Sequence, residues 1–144
     1  MELSFIDKLV DTSEAKRPKN AWEMDREFRA SLCRDLTDLL NTRRSERDID
    51  PLFDEALKSI LCYGIPDFTQ RDPVNKGDVD RVEKSIKSAI KQFEPRLTDV
   101  SVEWLESKPL GLRFRIDARL REEDAEFHAT VQCEAPRAKV TEAP

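Results

Sequence analysis

The chain has 144 residues, enough for one domain with a single real core, and its hydrophobic and charged fractions are both 38%. Its net charge of −5 disfavours a nucleic-acid partner bound by phosphate attraction, while leaving room for local basic patches. The three cysteines, Cys33, Cys62 and Cys133, are odd in number and far apart, which argues for reduced, partly buried thiols rather than a disulfide framework or a metal site.

Residues 1–20 read as a flexible leader. Leu3, Phe5, Ile6, Leu9 and Val10 form a short apolar cluster at helical spacing, and the polar stretch Asp11 to Asn20 follows as a linker. A segment this short does not hold a helix alone. It either packs back on the domain or docks on a partner through Phe5, Ile6 and Leu9. The opening Met1-Glu2-Leu3 lacks a basic n-region and a long apolar run, and nothing downstream approaches the length of a membrane span. The expectation is a cytoplasmic chain without membrane insertion.

The first substantial helix is predicted from about Trp22 to Leu40. Phe28, Leu32, Leu36, Leu39 and Leu40 recur at helical spacing on one face, bordered by Cys33, while Arg29, Arg34, Asp35 and Asp38 read as a solvated face. Arg43 and Arg44 then either complement the helix dipole or face a partner. Asp50-Pro51 is a good helix start, and Leu52, Phe53, Ala56, Leu57, Ile60 and Leu61 supply a second stripe. Tyr63-Gly64-Ile65-Pro66 stops it, with Gly64 in the left-handed position. A loop over 67–77 precedes a third helix, capped by Asp78 and carrying Val79, Val82, Ile86, Ala89, Ile90 and Phe93 on its seam.

Phe93-Glu94-Pro95-Arg96-Leu97 divides the chain into a helical part and a strand part. Pro95 lacks an N–H and pushes Glu94 out of helical dihedrals. A carboxylate at a helix C-terminus opposes the dipole, so Glu94 needs a partner. Either an intramolecular salt bridge fixes the turn, or the pair is a docking motif.

Beyond the pivot, period two takes over. Val100, Val102 and Trp104 alternate with polar neighbours. Ser107 to Gly111 is a turn. Leu112, Phe114, Ile116, Ala118 and Leu120 then oppose Arg113, Arg115, Asp117, Arg119 and Arg121. Glu122-Glu123-Asp124 turns the chain again, and Phe127, Ala129 and Val131 make a third strand. Residues 134–144, with two prolines and no periodicity, are expected to be a disordered tail. The expected fold is α+β, with three helices packed on one face of an antiparallel meander of about three strands.

Little in this pattern carries catalysis. The lone His128 falls on the polar strand face without a nucleophile, three glycines do not build a phosphate loop, and no cofactor or metal site is expected. Glycoside hydrolysis needs a protonated carboxylic acid, whereas Arg96 beside Glu94 favours a charged carboxylate. The arginine face is the stronger clue. It either pairs across strands with Glu103 and Glu126 or meets an acidic partner, with Arg113, Arg115 and Arg119 steering an edge strand into another sheet.

Three segments resemble one known family. Leu36-Thr37-Asp38-Leu39-Leu40-Asn41-Thr42-Arg43 is similar to its helix end. Ser59-Ile60-Leu61-Cys62-Tyr63-Gly64-Ile65-Pro66-Asp67-Phe68 is similar to a second segment, with Cys62 where Asn is usual. Phe93-Glu94-Pro95-Arg96-Leu97 is similar to its signature. The family is the baseplate wedge proteins of contractile injection machines, and the chain resembles its TssE branch from the bacterial type VI secretion system. The opening Ser4-Phe5-Ile6-Asp7-Lys8-Leu9 resembles a leader of that branch. The likeness covers roughly residues 4–131 and implies a wedge domain over 21–133, set in a cytoplasmic baseplate at the inner face of the cytoplasmic membrane. It implies partners: the TssF and TssG wedge proteins, the TssB–TssC sheath whose first ring the sheet would template, and TssK as a further candidate. It also implies that Glu94, Pro95 and Arg96 mediate wedge contacts. The family carries a lysozyme-like label; peptidoglycan cleavage is the alternative reading, opposed by the Glu94–Arg96 charge argument and the lack of an export signal.

Overall fold

A computed structural model describes residues 20–43, 52, 63–65, 76–108, 111–134 and 137–144. Asn20 starts the first helix: its side-chain oxygen accepts the Glu23 N–H at 2.9 Å, satisfying one of the donors a helix N-terminus leaves bare. Helix α1 spans Ala21–Asn41 and buries Phe28, Leu32, Cys33, Leu36, Leu39 and Leu40 along one stripe. It ends at Thr42, whose N–H and hydroxyl both donate to the Asp38 carbonyl, at 3.0 and 2.8 Å. Helix α2, Lys76–Phe93, buries Val79, Val82, Ile86, Ala89 and Ile90, as the seam predicts. The helix expected after Asp50-Pro51 lies outside the described residues.

Four strands follow: β1 (Leu97–Lys108), β2 (Gly111–Leu120), β3 (Glu126–Glu134) and β4 (Arg137–Glu142). They form one antiparallel sheet in chain order, β1-β2-β3-β4. The α+β class stands, but the sheet has four strands where three were expected. The extra one is built from residues read as a tail. Ala138 and Val140 alternate with Arg137, Lys139 and Thr141, and the two apolar side chains join the core. The alternation is only two residues long and follows Pro136, too little to register as a strand on its own.

The helices share one face of the sheet, α1 against β4 and α2 against β1. Phe114, Ile116, Ala118 and Leu120 of β2, with Phe127, Ala129 and Val131 of β3, point into that interface and are buried. Phe114 and Phe127 are fully buried, and truncating either to Ala costs about 3–5 kcal/mol in a core of this kind.

Strand β1 is irregular. Its register against β2 slips between Thr98 and Ser101, where Asp99 takes a φ of 51°, and again between Trp104 and Glu106. Trp104 keeps its place opposite Phe114, yet it remains 42% exposed, as does the extra residue Leu105. The expected inward row therefore stops at Val102, because the second slip bends the strand away from the core.

Gly64 is required by two independent constraints. Its φ is +104°, and a Cβ there would lie 2.2 Å from the Thr42 carbonyl oxygen. That approach lets the Ile65 N–H donate to Thr42 O at 3.0 Å, closing a parallel bridge between Arg43 and Ile65 just beyond α1.

Candidate functional site

The pivot is a tight turn. The Glu94 N–H donates to Ile90 O at 2.9 Å, finishing α2, and the Leu97 N–H donates back to Glu94 O at 3.2 Å, starting β1. Pro95 stands exposed between them. Glu94 is only 5% exposed. Arg96 grips its carboxylate with both arms of the guanidinium, Nε to Oε1 and Nη2 to Oε2, each at 2.6 Å. Arg96 Nη2 also donates to Asp35 Oδ2 of α1 at 2.6 Å. The guanidinium carbon lies 5.7 Å from the Phe28 ring centroid, a cation–π contact. The Arg96 carbonyl accepts the Arg121 N–H at 2.9 Å.

The Arg96 guanidinium thus joins the end of α2 to the flank of α1, and its main-chain carbonyl ties the β2–β3 turn to the same residue. Its bonds to Glu94, and more weakly those to Asp35, raise the Arg96 pKa above its ordinary value. The carboxylate that opposed the α2 dipole is neutralised locally. Of the two readings of Glu94, the geometry is that of an intramolecular clasp. It is also a poor general acid, since both its oxygens accept bonds from a permanent cation. Two buried atoms of the clasp, Asp35 Oδ1 and Arg96 Nη1, have no hydrogen-bond partner among the described residues. Tyr63 packs edge-on against Phe93 at 5.2 Å, and burial, with Asp38, Asp35 and Glu94 nearby, pushes its phenol up.

Beside the clasp is a shallow groove of about 150 Å³. Phe28, Pro95 and Leu120 form its apolar part, and Arg121, Glu122 and Glu123 its rim. Sequence reasoning read Asp35 as a solvated residue and Glu122-Glu123 as a plain turn. Nothing in the spacing distinguishes Asp35 from the other acids of α1; its role comes from Arg96, 61 positions away.

The arginines lie on the open face of β2, which is a central strand flanked by β1 and β3. They therefore do not line an edge, contrary to the expectation that they steer an edge strand into another sheet. Their partners are close: Arg113 to Glu106 at 2.7 Å, Arg115 to Glu103 at 2.6 Å and Asp117 at 3.0 Å, Arg119 to Asp124 at 3.3 Å. Cross-strand pairing with Glu103 is realised. Glu126 instead meets His128, at 3.5 Å. His128 Nδ1 lies 2.7 Å from Asp117 Oδ1, and that bond, with the weaker pull of Glu126, raises the imidazole pKa.

Burial pushes the thiols of Cys33 and Cys133 up to about 11, so both are neutral and neither is paired in a disulfide. Among the described residues no group of three or more His, Cys, Asp or Glu side chains is placed to hold a metal ion, and no helix is long and apolar enough to cross a membrane. The cluster of Phe5, Ile6 and Leu9 lies outside the described residues.

Residues 26–125 match the family model described as baseplate wedge protein gp25. The match runs through α1, the pivot and the first two strands to the turn before β3. No curated protein matches the chain.

Proposed function

The chain belongs to the baseplate wedge protein gp25 family, a structural family of contractile injection systems, and we propose that it serves in the baseplate of a type VI secretion machine. In this reading it holds the TssE position on the cytoplasmic side, binds the TssF–TssG wedge and templates the first ring of the TssB–TssC sheath. The observation that carries the reading is the family match across the helices, the pivot and the first two strands. The three motif segments, from Leu36 to Leu97, supply the choice of branch.

The clasp refines how Glu94, Pro95 and Arg96 act. The charges of Glu94 and Arg96 are spent on each other and on Asp35. The pivot therefore serves the wedge contact by shape: the clasp holds α1, α2 and the β2–β3 turn in one arrangement, and exposed Pro95 with its groove offers the docking surface. The leader, through Phe5, Ile6 and Leu9, is a second attachment to the same assembly. The balanced charges of Arg113, Arg115 and Arg119 orient the incoming sheath subunit.

The test is capture of purified TssF–TssG complex by the wild-type protein and by a Glu122→Lys, Glu123→Lys variant. Both glutamates are exposed, so the variant is expected to fold normally and to lose the wedge. Wild-type protein that retains no TssF–TssG overturns the wedge reading. A variant that binds as wild type moves the contact away from the groove. For the sheath, charge reversal of Arg113, Arg115 and Arg119 together is expected to impair nucleation; normal sheaths would remove those residues from the proposal.

A further inference from the structure

The groove beside the clasp is the size of one ring. Its volume of about 150 Å³ is that of a cavity which takes up a benzene molecule, and Phe28, Pro95 and Leu120 give it an apolar floor. The floor continues toward the start of α1. Met24 stands one helical turn before Phe28 on the same flank and is 45% exposed. The rim is acidic at Glu122 and Glu123, both exposed, with Arg121 beside them. Apolar surface rimmed by polar groups in this way marks a binding site.

The stretch that matches it precedes it in the same chain. Asn20, the N-cap of α1, comes eight residues before Phe28, about 12 Å along the helix. The ten residues from Asp11 to Asn20 reach at most about 33 Å, so the leader has ample chain to fold back over the groove. Three of those residues, Lys16, Arg17 and Lys19, are cations within four positions of Asn20. At about 3.3 Å per residue they extend no farther than the level of Phe28, where the Glu122–Glu123 rim lies. Before the linker, Phe5 is the single aromatic residue of the leader, and Leu9 follows it four positions later. Met24 and Phe28 have the same spacing. A leader running back along α1 therefore sets Leu9 against Met24 and Phe5 in the ring-sized groove. The match is apolar on apolar and cations on acids along the whole path. A flexible linker of this length also keeps the leader at an effective concentration on the order of millimolar, which favours it over the leader of a second copy.

We propose that in the free subunit this groove is filled by the chain's own leader, with Phe5 between Phe28, Pro95 and Leu120, and with Lys16, Arg17 and Lys19 at the acidic rim. Arrival of the TssF–TssG wedge displaces it, a step that rests on the wedge reading above, and frees Phe5, Ile6 and Leu9 for their own attachment. The leader is then a guard on the docking surface. It keeps Met24, Phe28 and Pro95 from unrelated apolar partners until the wedge takes its place.

The first test is Phe5→Ala in the full chain, read by amide shifts in NMR. The Met24, Glu122 and Glu123 amides are expected to move and those of Val82 and Ile86 in α2 to stay, while Thr12→Ala in the linker moves neither set. Groove amides that do not respond to Phe5→Ala overturn the contact. The wild-type shifts are expected to be unchanged on dilution; groove shifts that fade on dilution overturn the assignment to the same chain and give the groove to a second copy. Glu122→Lys with Glu123→Lys supplies the reciprocal readout. Tryptic cleavage after Lys8 is expected to speed up by about fivefold or more as the docked fraction falls, and cleavage at the wild-type rate overturns the charge pairing at the rim. The displacement is tested with p-benzoylphenylalanine in place of Phe5. Its photo-crosslink to the β2–β3 turn is expected in the free protein and is expected to be lost in the captured TssF–TssG complex. A crosslink of equal yield in that complex overturns the displacement and leaves the contact in the free protein standing. Wild-type protein that captures no TssF–TssG overturns the wedge reading instead, and the NMR result still decides the contact.

Discussion

Arg96 is the residue on which most of the pivot depends. It is the only cation bonded to Glu94 and Asp35 among the described residues, and both acids are largely removed from water. Arg96→Ala leaves two carboxylates facing each other in a poorly hydrated site, and removing one partner of such a pair costs about 3–5 kcal/mol. The urea midpoint of unfolding is expected to drop accordingly with an unchanged slope. Arg96→Lys is expected to recover little, because an ammonium cannot span both oxygens of Glu94 while reaching Asp35. A midpoint within experimental error of wild type for Arg96→Ala would mean the clasp adds nothing to the fold. His128 offers a milder case on the open face. Its pKa is raised by Asp117 and Glu126, so the protonated pair is stabilising below the unfolded value of 6.5, and that contribution is lost as pH rises through the folded value. As the chain's single histidine, its imidazole is directly observable by NMR. The midpoint is expected above 6.5 in the wild type and nearer to it in Asp117→Asn.

At the level of elements, α1 has two jobs on two faces. Its apolar stripe fills the core, and its polar residues Thr37 and Asn41 close the β4 edge. Asn41→Ala removes both bonds to Ala138, strands a donor and an acceptor, and is expected to cost about 1–3 kcal/mol. It also opens a second edge, so self-association by sedimentation is expected to rise with Asn41→Ala and not with the solvent-facing change Lys84→Ala. Unchanged association would show that α1 does not seal the strand. The helices and the first three strands were legible in the sequence because each carries its own period: the stripe Phe28 to Leu40, the seam Val79 to Phe93, the alternation Leu112 to Leu120. Strand β4 was not legible, because its partners are distant. Ala138 is held by Asn41, 97 positions away, and no local period reports such a contact. For the same reason the motif around Glu94 was visible, while its third member Asp35 and the sealed edge were not. The exposed Trp104 was misjudged because a slip in register leaves no mark in an alternating pattern.

For the whole molecule, β4 is what closes the described fold. Strands β1 to β3 form a local meander, and α2 packs on β1, the element that follows it directly after the pivot; α1, by contrast, must find a strand that appears about a hundred positions later. Removing residues 135–144 takes away the burial of Val140, worth about 1.5–3 kcal/mol. It also takes away the bonds of Asn41 and Thr37 to Ala138 and Val140, each worth roughly 0.5–1.5 kcal/mol net. The sum is on the order of 5 kcal/mol, comparable with the entire stability of many single domains. It leaves Thr37 and Asn41 of α1 without their partners on β4, and β3 as a new open edge. The truncated chain is therefore expected to lose its cooperative urea transition, and to aggregate where the full chain does not. A sharp transition at the full-length midpoint would return these residues to the status of a tail. Extending the deletion only from residue 143 removes neither Ala138 nor Val140, and it is expected to leave the transition in place; the pair of truncations separates closure by β4 from any effect of shortening the chain.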